Sequence, residues 1–392
     1  MKKLTPYSLP LILFCTVGLP AAPSSETAKE EVALRDNHFT RIKERGQKSY
    51  YTRKFDLSGL PEYRPEPVSG TVRFCGADYF IWVSRLSKYW EEGFRRHQPN
   101  VKLEYLKSNQ TEPLLYGLAD VASWPRPLDW GERQQFQDKL GYAPLEIQYA
   151  TGSYNVPGWT PALAIYVHRD NPITRISVDE LSRIFGAQRR GGWEGTRWRS
   201  NLARGPESNI RTWGQLGLTG VWQDRPINVY GRPIVYGMNR QVERKIFKGG
   251  GMWNETLREY AHDFEPGTAK TQIVSAVAML ADLSKDPNGI AYNNLDATRP
   301  PPPATIKLIA VAEKAGGPYV DLTMETVQNR TYPLFLELYF IMKREPGRPL
   351  APAIREYLRY ALSREGQEAV ERDGKWLPLT AEVARRELAK LE

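Results

Sequence analysis

The chain carries four histidines, His38, His97, His168 and His262, and no pair of them stands at a metal-ligand spacing such as HExxH. No GxSxG elbow presents a nucleophile, no GxxxxGK[ST] loop cradles a phosphate, and no GxGxxG follows a strand. The adjacent acids Glu91 and Glu92 fall where a helix would expose them to water. The reading is therefore a binding protein rather than an enzyme, with no cofactor and no metal. One stretch does suit chemistry of a simpler kind: "YGRPIVYGMNRQVERKIF", Tyr230 to Phe247, is a glycine-bearing turn that runs into a helical pattern. Free backbone N–H groups and the positive end of a helix dipole meet at such a place, and an anion binds there without a counter-charge. Tyr236 and Met238 flank its Gly237, bulky side chains where small hydroxyls would suit an anion better.

Strands and helices must alternate to position that turn, and the pattern supplies them. Thr71 to Cys75 reads as a β-rich run ending on Gly76, followed by apolar residues at helical spacing (Phe80, Val83, Leu86, Tyr89, Trp90, Phe94). "VKLEYL", "ADVASW", "LEIQYA", "ALAIYVH" and "INVYG" read as further strands, and "EPLLYGLA" as a short helix. "SVDELSRIFG" reads as a helix capped by Ser177, with Glu180 completing a capping box. "TQIVSAVAMLADLSKDPNGIAYNN" reads as helix, turn and strand, and "RPPPPATIKLIAVA" as a stiff connection and a second crossing between domains. The alternation argues an α/β architecture with largely parallel sheets.

At 392 residues, 41% hydrophobic and 25% charged, the chain is long enough for two domains with real cores. Its formal charge of +9 favours anionic partners without specifying the fold. The N-terminus, "MKKLTPYSLPLILFCTVGLPAAPSSE", has a basic start, an apolar run from Leu9 to Leu19 and small residues at Ala21 and Ala22, which reads as a secretory signal over residues 1–22. The run is too short to span a bilayer, which needs about 20 residues. Removal of the signal would take Cys15 with it, leaving Cys75 alone and no intrachain disulfide. Residues 23–68 are charged and poor in apolar periodicity, apart from one possible short helix around Glu30 to Arg45, and read as a mobile extension or a strap on the body. The Gly-, Arg- and Trp-rich stretch from Gly186 to Pro233 mixes base-stacking rings with phosphate-tracking cations. Export and the lack of any nucleic-acid module leave scattered core tryptophans and solvated arginines as its reading, with no nucleic-acid partner.

Several phrases recur in a recognisable order: "FCGADYFIWVSRLSKYW", "GLADVASWPRPL", "HRDNPI" before "DELSRIFG", "INVYGR", "TYPL" before "LYFIMK", and "YLRYALSREGQEAVERDGKWLPL". From about residue 69 to 380 the chain resembles the phosphate-binding, PstS-like substrate-binding proteins of ABC importers. The resemblance implies a two-lobed, type II periplasmic-binding-protein fold with mixed sheets, two crossing strands and an interlobe cleft. It divides the chain into a first part of lobe 1 (69–155), lobe 2 (156–304) and a return to lobe 1 with C-terminal helices (305–392). It also implies a periplasmic monomer that captures phosphate or a related oxyanion and delivers it to an ABC permease in the inner membrane. The alternative is a non-transport periplasmic protein that reuses the scaffold for another ligand or a protein partner.

Carried over position by position, the resemblance places the ligand at Ala77, Asp78, Ser108, Asn109, Ser123, Arg126, Arg232, Tyr236, Gly237 and Met238. Scaffold phrases survive better than ligand phrases. Where the family usually shows Gly-Ser-Thr after its first strand, Gly76 is followed by Ala77, Asp78 and Tyr79; where it shows Ser-Gly-Thr beyond "YGR", Tyr236, Gly237 and Met238 stand. "SWPRPL" keeps Ser123 and Arg126 around Trp124 and Pro125, and Phe335 and Leu336 occupy positions where many relatives have Ser-Arg. Each lost hydroxyl forfeits about 1 kcal/mol of hydrogen bonding, to be offset by Lys107, Arg126, Asn239 or Arg240.

Overall fold

The computed structural model describes residues 44–76, 84–106, 108, 110–156, 158–194, 197–261, 263–264, 272–273, 275–295 and 301–392. The signal segment 1–22, residues 23–43 of the extension, and Ala77, Asp78, Lys107 and Asn109 lie outside the described residues.

Two five-stranded sheets organise the chain. The first takes β1 (Gly70–Gly76), β2 (Val101–Tyr105), β3 (Val121–Trp124) and β4 (Leu145–Thr151) from the first part of the sequence. The second takes β5 (Leu163–His168), β6 (Asn228–Gly231), β7 (Arg258–Glu259), β8 (Gly289–Asn294) and β9 (Ile306–Leu308). A last strand, β10 (Glu337–Met342), returns to the first sheet, giving orders β2-β1-β3-β10-β4 and β7-β6-β8-β5-β9. Both sheets are mixed rather than largely parallel: β10 runs antiparallel to β3 and β4, and β5 antiparallel to β8 and β9.

The return differs from the sequence reading. Residues 305–312 do not lead back into lobe 1: Ile306 pairs with His168 and Leu308 with Tyr166 in the second sheet, and Lys307 donates from Nζ to the Asn171 carbonyl at 2.6 Å. Ala310–Ala312 pairs in parallel with Arg175–Ser177, so the chain stays in lobe 2 through this stretch. The two segments that join the lobes run side by side near residues 152–163 and 332–336. Gly152 N–H donates to the Leu336 carbonyl at 2.8 Å, Leu163 N–H to the Leu334 carbonyl at 3.0 Å, and the Tyr332 hydroxyl to the Leu163 carbonyl at 2.8 Å.

Period-two alternation buries both faces of the first sheet. Val72, Phe74, Ile147 and Phe340 face one core with Trp90 and Phe94 of α1 (Leu86–His97), while Ala122, Tyr339 and Ile341 face another under Phe136 of α2 (Trp130–Leu140). Helix α2 was not anticipated from sequence; Asp129 caps it, accepting from the Glu132 amide while the Glu132 carboxylate accepts from the Asp129 amide. Helix α3 (Val178–Phe185) has the expected Ser177–Glu180 capping box.

Residues 50–66 lie against the C-terminal helices. The amides of Tyr50 and Tyr51 donate to the Gly374 carbonyl, the Phe55 amide to Glu371, and the Tyr63 hydroxyl to the buried Glu356. Lys54–Glu371 at 2.7 Å and Arg359–Glu66 at 2.7 Å reinforce the contact.

Candidate functional site: an interlobe cleft at the start of a helix

The second-lobe turn begins where β6 ends. A Cβ at Gly231 would come within 2.6 Å of the Tyr292 hydroxyl, so the strand can pass under that ring only as glycine. Tyr292 uses the same hydroxyl to hold the turn: it accepts from the Arg232 amide at 3.2 Å and donates to Asn239 Oδ1 at 2.6 Å. Asn239, fully buried, then donates from Nδ2 to the carbonyls of Arg232 (2.9 Å) and Pro233 (2.6 Å). Four side-chain hydrogen bonds thus fix the path from Arg232 into α4 (Gly237–Lys245). The N-cap of α4 is Tyr236, whose side chain makes no capping bond. The first turn of any helix leaves amides without intrahelical acceptors, at the positive end of its dipole.

On the opposite wall the parallel strands β1 and β3 end together. Gly76 has φ +109°, and a Cβ there would stand 2.2 Å from the Ser123 carbonyl oxygen. The Gly76 amide donates to the Ser108 carbonyl at 2.9 Å, so the ends of β1, β3 and the turn after β2 share one edge. The Ser108 hydroxyl accepts from the Gln110 amide at 3.3 Å, an ordinary turn contact. The hydroxyl of Ser123, buried, lies 2.9 Å from that of Tyr149.

Between these walls runs a cleft of about 990 Å³. Ser123, Arg126, Arg232, Tyr236, Gly237 and Met238 all line it, so the fold brings together six of the ten positions singled out from sequence. Ser108 is not among its lining residues. Tyr149, Thr160, Leu163, Gln241, Asn294, Leu338 and Trp376 also line it and were missed, because each is an unremarkable strand, hinge or helix residue in sequence. Thr160 alone carries a local mark, a φ of +56° that cannot be read from its neighbours.

The cations differ in how they are engaged. Arg232 is 7% exposed and sits at the foot of the turn. Arg126 forks onto Glu132 at 2.6 and 2.8 Å and donates to the Pro127 carbonyl, so its guanidinium serves the cap of α2. Arg240 pairs with Asp129 of lobe 1 at 2.6 Å. Asn239 serves the turn itself. Three of the four residues expected to offset the lost hydroxyls are therefore engaged within the protein, and the fourth, Lys107, lies outside the described residues.

Further along α4, Glu337 at the head of β10 receives Arg244 and Lys245, each at 2.8 Å, across the lobes. Burial alone would raise the Glu337 carboxyl, but the charges of Lys245 and Arg244 pull it down to about 2. Lys245 also lies 4.0 Å from the centre of the Phe335 ring. With Arg240–Asp129 and a contact from Gln241 Nε2 to the Pro125 carbonyl at 3.5 Å, α4 is tied to lobe 1 along its length.

The Gly-, Arg- and Trp-rich stretch serves the fold instead. Arg211 donates to the carbonyls of Arg183, Ile184 and Gly186, and Arg204 to that of Ser182, which satisfies the last carbonyls of α3. Trp213 is buried, and Trp193 and Trp198 pack edge to face. Among the described residues no cluster of three His, Cys, Asp or Glu could hold a metal ion, and no helix is long and apolar enough to cross a membrane.

A family model described as a PBP superfamily domain matches residues 82–365. The chain belongs to this superfamily. Within it, the phosphate-binding protein PstS of Pseudomonas aeruginosa is 30% identical over 336 residues, covering 85% of this chain and 90% of that protein, which places the chain in the PstS-like family. Among solved structures, PstS from Borrelia burgdorferi aligns over 80% of this chain and all of its own, at 15% identity and a TM-score of 0.49. An ABC-type phosphate transport receptor from Vibrio cholerae aligns over 78% of this chain and 99% of its own, at 16% identity and a TM-score of 0.44. The two-lobed mixed α/β architecture described above is that expected for this superfamily.

Proposed function

We propose that the chain is an exported substrate-binding protein that captures phosphate or a related oxyanion for an ABC importer. The observation that carries the proposal is the clamped turn: Tyr292 and Asn239 hold Arg232 and the start of α4 on the wall of the interlobe cleft. A buried guanidinium beside a helix N-terminus suits an oxyanion, through charge-assisted hydrogen bonds and the helix dipole. The relation to PstS, a phosphate-binding protein, supports phosphate as the anion, and an ABC permease is the partner that the family resemblance implies. The signal-like segment 1–22 supports delivery to the periplasm, where the protein would act as a monomer. The family resemblance assigns Ala77, Asp78 and Asn109 to the same ligand.

Tyr236 and Met238 on the cleft wall favour a second reading, in which the scaffold serves a different ligand or a protein partner outside transport. Uptake of radiolabelled phosphate by cells lacking the chain separates the two. Uptake that falls on deletion and returns with the full-length chain supports the importer; unchanged uptake under phosphate limitation selects the second reading.

A further inference from the structure

The cleft is larger and more apolar than an inorganic oxyanion needs. It measures about 990 Å³, at the upper end of the range of about 300–1,000 Å³ common for organic ligands. This is not the gap of splayed lobes, because α4 is tied to lobe 1 by Arg240–Asp129, Arg244–Glu337 and Lys245–Glu337 in the same arrangement. A tetrahedral anion held by Arg232 and the start of α4 would occupy one end. The remaining wall carries Trp124, Tyr236 and Met238, partly exposed side chains that gain by being covered and offer rings for stacking, backed by the buried Tyr149, Leu163 and Leu336. Cationic groups are few on that wall: Arg126 is neutralised by Glu132 and Arg240 by Asp129.

Resting on the oxyanion reading above, we infer that the ligand is an organic phosphate or phosphonate, with its anionic head at Arg232 and an apolar or aromatic body against the Trp124, Tyr236 and Met238 wall. The head supplies charge and the body supplies area. Burying a phenyl-sized body against such a wall is worth about thirtyfold in Kd.

The test is calorimetric titration of the purified protein, without its signal segment, with three probes: inorganic phosphate, methylphosphonate and phenylphosphonate. Phenylphosphonate binding at least tenfold tighter than the other two is expected, with the advantage shrinking in Tyr236→Ser while a thermal melt shows that the variant folds. Inorganic phosphate binding as tightly as phenylphosphonate, or more tightly, overturns this inference and leaves the oxyanion reading standing. Binding of none of the three overturns both.

Discussion

Glu337→Gln isolates the charge that holds α4 to the first lobe. The wild-type carboxylate is buried, receives Arg244 and Lys245 at 2.8 Å each, and titrates at about 2 instead of the usual 4.5. A carboxyl depressed in this way contributes stability that is fully present above its unfolded value of 4.5 and is lost as pH falls towards 2. At 1.36 kcal/mol per pH unit the interval corresponds to about 3 kcal/mol for the carboxylate, offset in part at Lys245, where burial pushes the ammonium down to about 8. Removing the negative charge while leaving two cations beside it also falls in the range of about 3–5 kcal/mol for breaking a buried ion pair. Glutamine keeps the shape and some hydrogen bonding, so the loss comes chiefly from charge. Urea unfolding followed by circular dichroism at pH 7, 5, 4 and 3 measures it. The variant is expected to be about 3 kcal/mol less stable at pH 7 and 5, with the gap narrowing below pH 4.5 as the wild type loses its advantage. A gap that is absent at pH 7, or that stays constant down to pH 3, would refute the reasoning.

Two further outcomes follow from the same structure. Asn239→Ala removes the bonds to the Arg232 and Pro233 carbonyls and to Tyr292; at about 1 kcal/mol each it should cost about 2–3 kcal/mol in a denaturant melt and weaken oxyanion binding more than a surface substitution such as Arg348→Ala. Cys75 is fully buried, and burial pushes its thiol up to about 12, so the native protein should not react with a thiol reagent at pH 8 and should titrate one thiol per signal-free chain once unfolded.

Local chemistry was the legible part of this chain. Alternating apolar residues announced the strands, and Ser177 with Glu180 announced a helix start, because each is decided within a few residues. Helix α2 escaped because only Phe136 is buried along it, which leaves no apolar stripe, although Asp129 and Glu132 carry a capping-box signature. The proline-rich stretch before Ile306 was misplaced for a different reason. Its strand type was readable, but which sheet it joins depends on pairing with β5, more than a hundred residues earlier.

The site shows the same division. The turn after β6 was found from its glycine and its helical continuation, whereas the clamp that makes it rigid involves Tyr292, 60 residues from the Arg232 amide it receives. Arg126 looked like an anion-facing residue because only its neighbours in sequence could be seen; in the fold its guanidinium is taken by Glu132. The ties between α4 and Glu337 span more than 90 residues and left no mark in the sequence. Arginines read as solvated in the Gly- and Trp-rich stretch instead close the end of α3, a role set by where Arg204 and Arg211 pack.

Equilibrium dialysis of the signal-free protein and its Arg232→Ala variant against phosphate, sulfate and phenylphosphonate tests the central claim most directly. At least one of these oxyanions should bind the wild type at one site per chain with micromolar or tighter Kd, and the variant should lose that binding while unfolding as cooperatively as the wild type. Retention of none of the three by the wild type, or equal retention by both proteins, would contradict the account.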